Sequence, residues 1–156
     1  MPVADLGLDM TKDVGQCPFC RIVAGLEAAR IVWRSAAAVA FIPIAPATRG
    51  HLLVVPSDHF SDVFELDDQS MRELSATVLH VAKAVRSAVK PDGMNLIQSN
   101  GEVATQTVRH VHFHVLPRWA NDGIRDLWPE QREWSTRELD AVEGEIRQKL
   151  EESEQS

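Results

Sequence analysis

With 156 residues, 44% of them hydrophobic and 25% charged, the chain has the size and balance of one globular domain with a real core. A formal net charge of −7 without a clustered Lys/Arg stripe argues against nucleic acid as a partner, while a small anionic ligand stays open. No run of about 18 apolar residues occurs, and the opening MPVADLGLDMTKDVGQ has neither a basic start nor an apolar signal core. Neither export nor a membrane span is therefore expected, and the cytoplasm is the default compartment.

Residues 1–15 show neither helical nor strand period and are expected to form a flexible leader, with one domain over 16–151 and a frayed tail at 152–156. A short helix is expected over 18–24, with Pro18 in its first turn and Gly25 as its stop. Strands follow at 31–34 and 37–42, then a turn through PIAPATRG, then a buried strand at 51–56, HLLVVP. The main helix is placed at 68–89, where Met71, Leu74, Val78, Val81, Ala82, Val85 and Val89 recur at helical spacing before Pro91, Asp92 and Gly93. A strand at 94–99, a loop through NGEVATQT and a strand at 108–116 complete the sheet. Ser135 and Glu138 make a capping box for a terminal helix striped by Leu139, Val142, Ile146 and Leu150. The order implies an α+β domain: an antiparallel five-stranded sheet with a long helix and a C-terminal helix.

Three of the six histidines fall in the last strand segment, QTVRHVHFHVLP, at every second position. Same-face neighbours in a strand sit about 6.5 to 7 Å apart. His110, His112 and His114 are thus expected to line one face while Val111, Phe113 and Val115 face the core. A lone histidine is most often a satisfied core residue, but a row of imidazoles adds little stability unless chemistry uses it. Imidazole acts as nucleophile, proton carrier or zinc ligand near neutral pH, so this face is a candidate active site. Cys17 and Cys20 form a CxxC, which alone reads as a redox pair, as two unrelated buried thiols or as half of a zinc tetrahedron. His80, within the long helix, is assigned no role.

His, apolar, His, apolar, His, after Gln and Thr and before Pro, resembles the signature of the histidine triad (HIT) family of nucleotide hydrolases and transferases. The resemblance extends through CPFCRIVAGLEAARIVW, AFIPIAPATRGHLLVVPSDH and LIQSNGEVATQTVRHVHFHVLPR, covering nearly all of 17–128 with spacing typical of the bacterial zinc-containing branch. It implies that His112 attacks the α-phosphorus of a nucleotide and forms a nucleotidyl-histidine that water resolves. It implies that His114 donates to a phosphate oxygen, that His51 bonds within the same cluster, and that Asn100, Gln106 and Thr107 approach the phosphate and the leaving group. Phe41 and Ile44 fall with the nucleotide. It also implies one structural zinc per chain on Cys17, Cys20, His59 and His110, clamping the first helix to the histidine strand.

Two positions depart from the family pattern. Pro43 stands where many relatives carry a ribose-binding acceptor, and Thr105 stands where a glycine is common. Either bears on substrate choice more than on reaction type. The expected substrate is a nucleoside phosphoramidate, an aminoacyl adenylate or a dinucleoside polyphosphate. Alternatives are transfer of the nucleotidyl group to phosphate or a sugar phosphate, and a regulatory module that binds nucleotide without turnover. The resemblance further implies a homodimer with sheets continued across a two-fold axis, at which Trp119, Trp128 and Trp134 could pack or else fold back on their own chain.

Overall fold

A computed structural model describes residues 15–125, 127–128 and 132–155. Gly15 apart, the expected leader lies outside the described residues. Packing divides the chain into two compact units, one ending at Ile124 and the other beginning at Arg125.

The first unit opens with helix α1, Pro18–Val23, whose N-cap is Cys17 and whose last turn is followed by Gly25 at φ 73°. The helix stops one residue before the expected end, with Ala24 as its cap. Strands β1 (Arg30–Arg34), β2 (Ala38–Ile42) and β3 (Leu52–Pro56) follow, then helix α2 (Asp68–Val89), β4 (Gly93–Gln98) and β5 (Phe113–Arg118). All neighbours are antiparallel, in the order β1-β2-β3-β5-β4.

The apolar runs AVAFI and LLVVP are explained by burial on both sheet faces. On one face Ala38, Ala40, Leu52, Val54 and Val115 meet Leu74, Val78, Val81, Ala82 and Val85 of α2. On the other, Val39, Phe41, Leu53 and Val55 meet Cys17, Phe19, Cys20 and Ile22 from α1. Each buried Leu or Val contributes about 1.5 to 3 kcal/mol, so α2 is held chiefly by its stripe. Its start is fixed by Asp67, whose carboxylate accepts the Ser70 N–H at 2.7 Å. Its end is Lys90, left-handed at φ 49°, ahead of Pro91.

One expectation is corrected. The histidine strand was placed at 108–116, but β5 begins at Phe113, so His110 and His112 precede it. The alternation survives without the ladder. Val111 packs in the α2 cluster while His110 and His112 lie against Phe19 on the other face. The Val111 N–H goes to Phe60 O at 2.7 Å instead of to a neighbouring strand.

The second unit contains helix α3, Thr136–Glu154, started by the expected capping box of Ser135 and Glu138. It runs on to Glu154 through most of the tail expected to fray. Leu139, Val142, Ile146 and Leu150 do share one side of it, yet all four are exposed. Trp128 and Trp134 are also exposed, the latter under the Arg132 guanidinium at 3.5 Å, while Trp119 of the first unit is half-buried.

Candidate active site and metal centre

The short helix α1 exists where it does because Pro18 supplies a fixed φ in the first turn and Cys17 caps it, its sulfur accepting the Cys20 N–H at 3.5 Å. Both sulfurs are thereby turned into the protein, and no disulfide joins them. Nδ1 of His110 lies 3.4 Å from each sulfur, and Nδ1 of His59 lies 3.2 Å from Cys20 Sγ. The ligand atoms of Cys17, Cys20, His59 and His110 all fall within 4.8 Å of one another, forming a candidate metal site.

The donor set fits zinc. With bonds of about 2.3 Å to sulfur and about 2.0 to 2.1 Å to nitrogen, a tetrahedron separates S and N by roughly 3.5 Å, close to the 3.2 to 3.4 Å seen here. The tautomer also fits. His110 Nε2–H donates to Pro56 O at 3.0 Å, which leaves the Nδ1 lone pair facing the sulfurs. The ring is fully buried, and burial pushes its pKa down to about 4, so it is neutral and able to ligate.

His112 is set by its neighbour's backbone. Its Nδ1–H donates to His110 O at 2.8 Å, so the lone pair sits on Nε2. The ring is 4% exposed and lies edge-on to Phe19 at 5.3 Å between centroids. Burial lowers its pKa, against the opposing pull of that hydrogen bond. The result is a neutral imidazole with one nitrogen held and the other available for attack.

His114 follows on β5, its ring 5.1 Å from that of His112, and its Nδ1 lies 2.9 Å from His51 Nε2. His51 is buried just before β3. Burial, with His112 and His51 nearby, holds the His114 pKa down to about 4, and burial lowers that of His51. His51, His112 and His114 therefore come together as one cluster of neutral rings, joined through His110 to the metal site.

The loop residues divide. Gln106 is buried, and its amide is consumed locally: Oε1 accepts the Gly101 N–H at 2.8 Å, while Nε2 donates to Ser61 O at 2.7 Å and Val108 O at 3.0 Å. Asn100 likewise turns inward, its Oδ1 accepting the Val63 N–H at 2.8 Å. Both amides shape the loop that leads into the triad. Thr107 is exposed. Phe41 is a core residue packed edge-on to Phe19 at 5.5 Å, and Ile44 is fully exposed in the loop after β2.

Phe19 was not singled out from the sequence. It touches His110, His112 and Phe41 and so walls the site. Its position between two ligating cysteines was the available signal. Thr105 is left-handed at φ 70°. That backbone region favours glycine, and the threonine is strained there.

The class these features define is borne out by comparison. The HIT domain family model matches residues 26–121. The chain is 37% identical over 135 residues to adenosine 5′-monophosphoramidase of Schizosaccharomyces pombe, covering 86% of this chain and 98% of that one. A solved HIT-family structure from Bacillus subtilis matches with a TM-score of 0.80 at 32% identity, covering 85% of this chain and 96% of that one. A zinc-bound histidine triad protein from Mycobacterium smegmatis matches with a TM-score of 0.68 at 32% identity, over 86% and 98% of the two chains. The protein belongs to the HIT family.

Proposed function

We propose that this protein is a zinc-containing HIT hydrolase that cleaves a nucleotide conjugate at its α-phosphorus through a nucleotidyl-His112 intermediate. The observation that carries the reading is the 2.8 Å bond from His112 Nδ1–H to His110 O, which leaves Nε2 as a bare, oriented nucleophile. In the first step Nε2 forms a bond to phosphorus as the bond to the leaving amine or phosphate breaks, a leaving amine taking up from solvent the proton that the attacking water gives back in the second step. Water then forms the new P–O bond as the N–P bond breaks, releasing a nucleoside monophosphate and neutral His112. Nε2–H of His114 donates to a non-bridging oxygen, whose negative charge grows in each step. Thr107 is assigned to the leaving group, Phe41 and Ile44 to the nucleoside side, and Asn100 and Gln106 to holding the phosphate loop in shape.

Zinc on Cys17, Cys20, His59 and His110 is structural in this reading. Four protein ligands close the shell and leave no position for substrate. The name of the Schizosaccharomyces pombe relative supports an adenosine phosphoramidate as the first substrate to test, and the Mycobacterium smegmatis relative supports zinc as the metal. A small-molecule nucleotide is the proposed partner, with the cytoplasm as the proposed compartment. No described helix is long and apolar enough to cross a membrane. A homodimer is proposed through β4, which has β5 as its one sheet neighbour among the described residues and leaves Leu96 half exposed.

Turnover of adenosine 5′-phosphoramidate, an aminoacyl adenylate and a dinucleoside polyphosphate, each with and without added phosphate, tests the proposal. Release of nucleoside monophosphate irrespective of phosphate is expected. A phosphate-dependent product would make the protein a transferase, and binding without turnover would make it a nucleotide-binding module.

A further inference from the structure

His112 takes its tautomer from one backbone carbonyl, whereas His114 takes its own from further away. The Ala47 N–H donates to His51 Nδ1 at 3.0 Å. A backbone amide nitrogen donates only, so His51 Nδ1 is bare and the single proton of the neutral ring sits on Nε2. That nitrogen lies 2.9 Å from His114 Nδ1. His114 Nδ1 must then accept, and its own proton is left on Nε2. The direction of both ring bonds thus follows from one amide.

That amide is fastened in place. Thr48 Oγ1 donates to Pro117 O at 2.8 Å, on the same strand as His114, and the His51 N–H closes the turn onto Thr48 O at 3.1 Å. Gly50 completes the turn at φ 83°, where a Cβ would meet Val89 at 3.3 Å and Pro117 at 3.4 Å. The loop is therefore tied to β5 by a side-chain bond and by close packing.

We propose that Thr48 and His51 are positioning residues: Thr48 fastens the 43–50 loop so that the Ala47 amide meets His51, and His51 passes the resulting tautomer to His114, which presents only an N–H donor to its ligand. The use made of that donor rests on the reading of His114 as a partner of a phosphoryl oxygen. Such an oxygen carries only lone pairs, so the opposite tautomer would set lone pair against lone pair.

Long-range proton–nitrogen NMR of the zinc-loaded protein with 15N-labelled histidine, near pH 7.5, reads the tautomers without substrate. Bare Nδ1 and protonated Nε2 are expected for both His51 and His114. A proton on Nδ1 of either ring in the unmodified protein overturns the proposal. His51→Gln keeps a donor and is expected to keep the His114 tautomer with turnover within about tenfold, by the conservative nature of the swap. His51→Glu offers an acceptor of the same size and is expected to move the His114 proton to Nδ1. It should lower kcat by about 100-fold or more with a smaller change in KM, as for loss of one oxyanion donor. A folded His51→Glu protein with an unchanged His114 tautomer also overturns the proposal. Thr48→Val should speed hydrogen exchange of the Ala47 amide, and Thr48→Ser should restore protection; equal exchange in all three proteins removes Thr48 from the device. If the tautomers are as stated but no nucleotide conjugate is turned over, the relay stands and the proposed function falls.

Discussion

The backbone carbonyl of His110 accepts the Nδ1–H of His112 at 2.8 Å, while the ring of His110 faces the Cys17 and Cys20 sulfurs at 3.4 Å. One residue thereby links the candidate metal centre to the candidate nucleophile, and anything that displaces its ring moves the carbonyl that orients His112.

Metal removal should therefore be felt in stability first. One zinc per chain is expected by metal analysis of protein purified without an affinity tag. Cys20→Ser should lower stability by about 2 kcal/mol or more, equivalent to a Tm lower by roughly 4 to 8 °C for a chain of this size. At temperatures where the variant stays folded, turnover should fall less than stability. Metal-free protein with an unchanged Tm, or a disulfide between Cys17 and Cys20, contradicts this.

Thr105 holds a left-handed backbone at φ 70° with its side chain exposed. Replacing it with glycine should remove strain at the cost of some unfolded-chain freedom. Thr105→Gly is expected to be neutral to stabilising by up to about 1 kcal/mol, and Thr105→Val to be destabilising. Chemical denaturation of the three proteins measures this, and a clearly destabilised glycine variant would show that the threonine makes a compensating interaction.

The lowered pKa values of the buried rings predict acid sensitivity. His114 is held down to about 4 against an ordinary value of 6.5, and His51 is also lowered. As pH falls through 6.5 the unfolded chain takes up protons that the folded rings refuse, so stability is lost between about 6.5 and about 4. Above 6.5 these rings are neutral in both states and contribute no slope. His114→Asn should give a shallower decline of Tm over that interval than the unmodified protein in the same zinc state. Parallel curves would contradict the shift.

Pro43, directly after β2, has no side-chain acceptor, and we propose that this position faces the ribose. Discrimination between adenosine and 2′-deoxyadenosine monophosphates should therefore be weak, since one neutral hydrogen bond contributes about 0.5 to 1.5 kcal/mol. Pro43→Asp should restore a preference of severalfold to about tenfold, read by titration calorimetry. Strong ribose preference in the unmodified protein would mean that another group makes the contact.

Helix α2 was legible because its apolar stripe runs unbroken to the stop at Pro91, Asp92 and Gly93. The metal cluster was legible through the family resemblance, which joined His59 and His110 to a CxxC that by itself left three readings open. The start of β5 was not legible. A period-2 pattern describes an extended segment equally well whether its N–H groups bond a strand or, like Val111, a loop carbonyl. The local bonds of Asn100 and Gln106, both expected near the phosphate, to Val63, Gly101 and Ser61 were not legible, since an amide in a polar loop carries no sign of its partners. The groups that orient the three rings, Ala47 N, Pro56 O and His110 O, belong to the backbone and carry no residue identity.

The central claim is the covalent one, and trapping tests it most directly. Protein mixed with an adenosine phosphoramidate labelled on the adenylyl group and quenched in alkaline detergent should carry the label on His112 as a base-stable, acid-labile phosphoramidate. His112→Asn, folded and zinc-loaded, should carry none and lose at least about a thousandfold in turnover. Turnover by the unmodified protein with label that never becomes protein-bound, or normal turnover by His112→Asn, would contradict attack by His112.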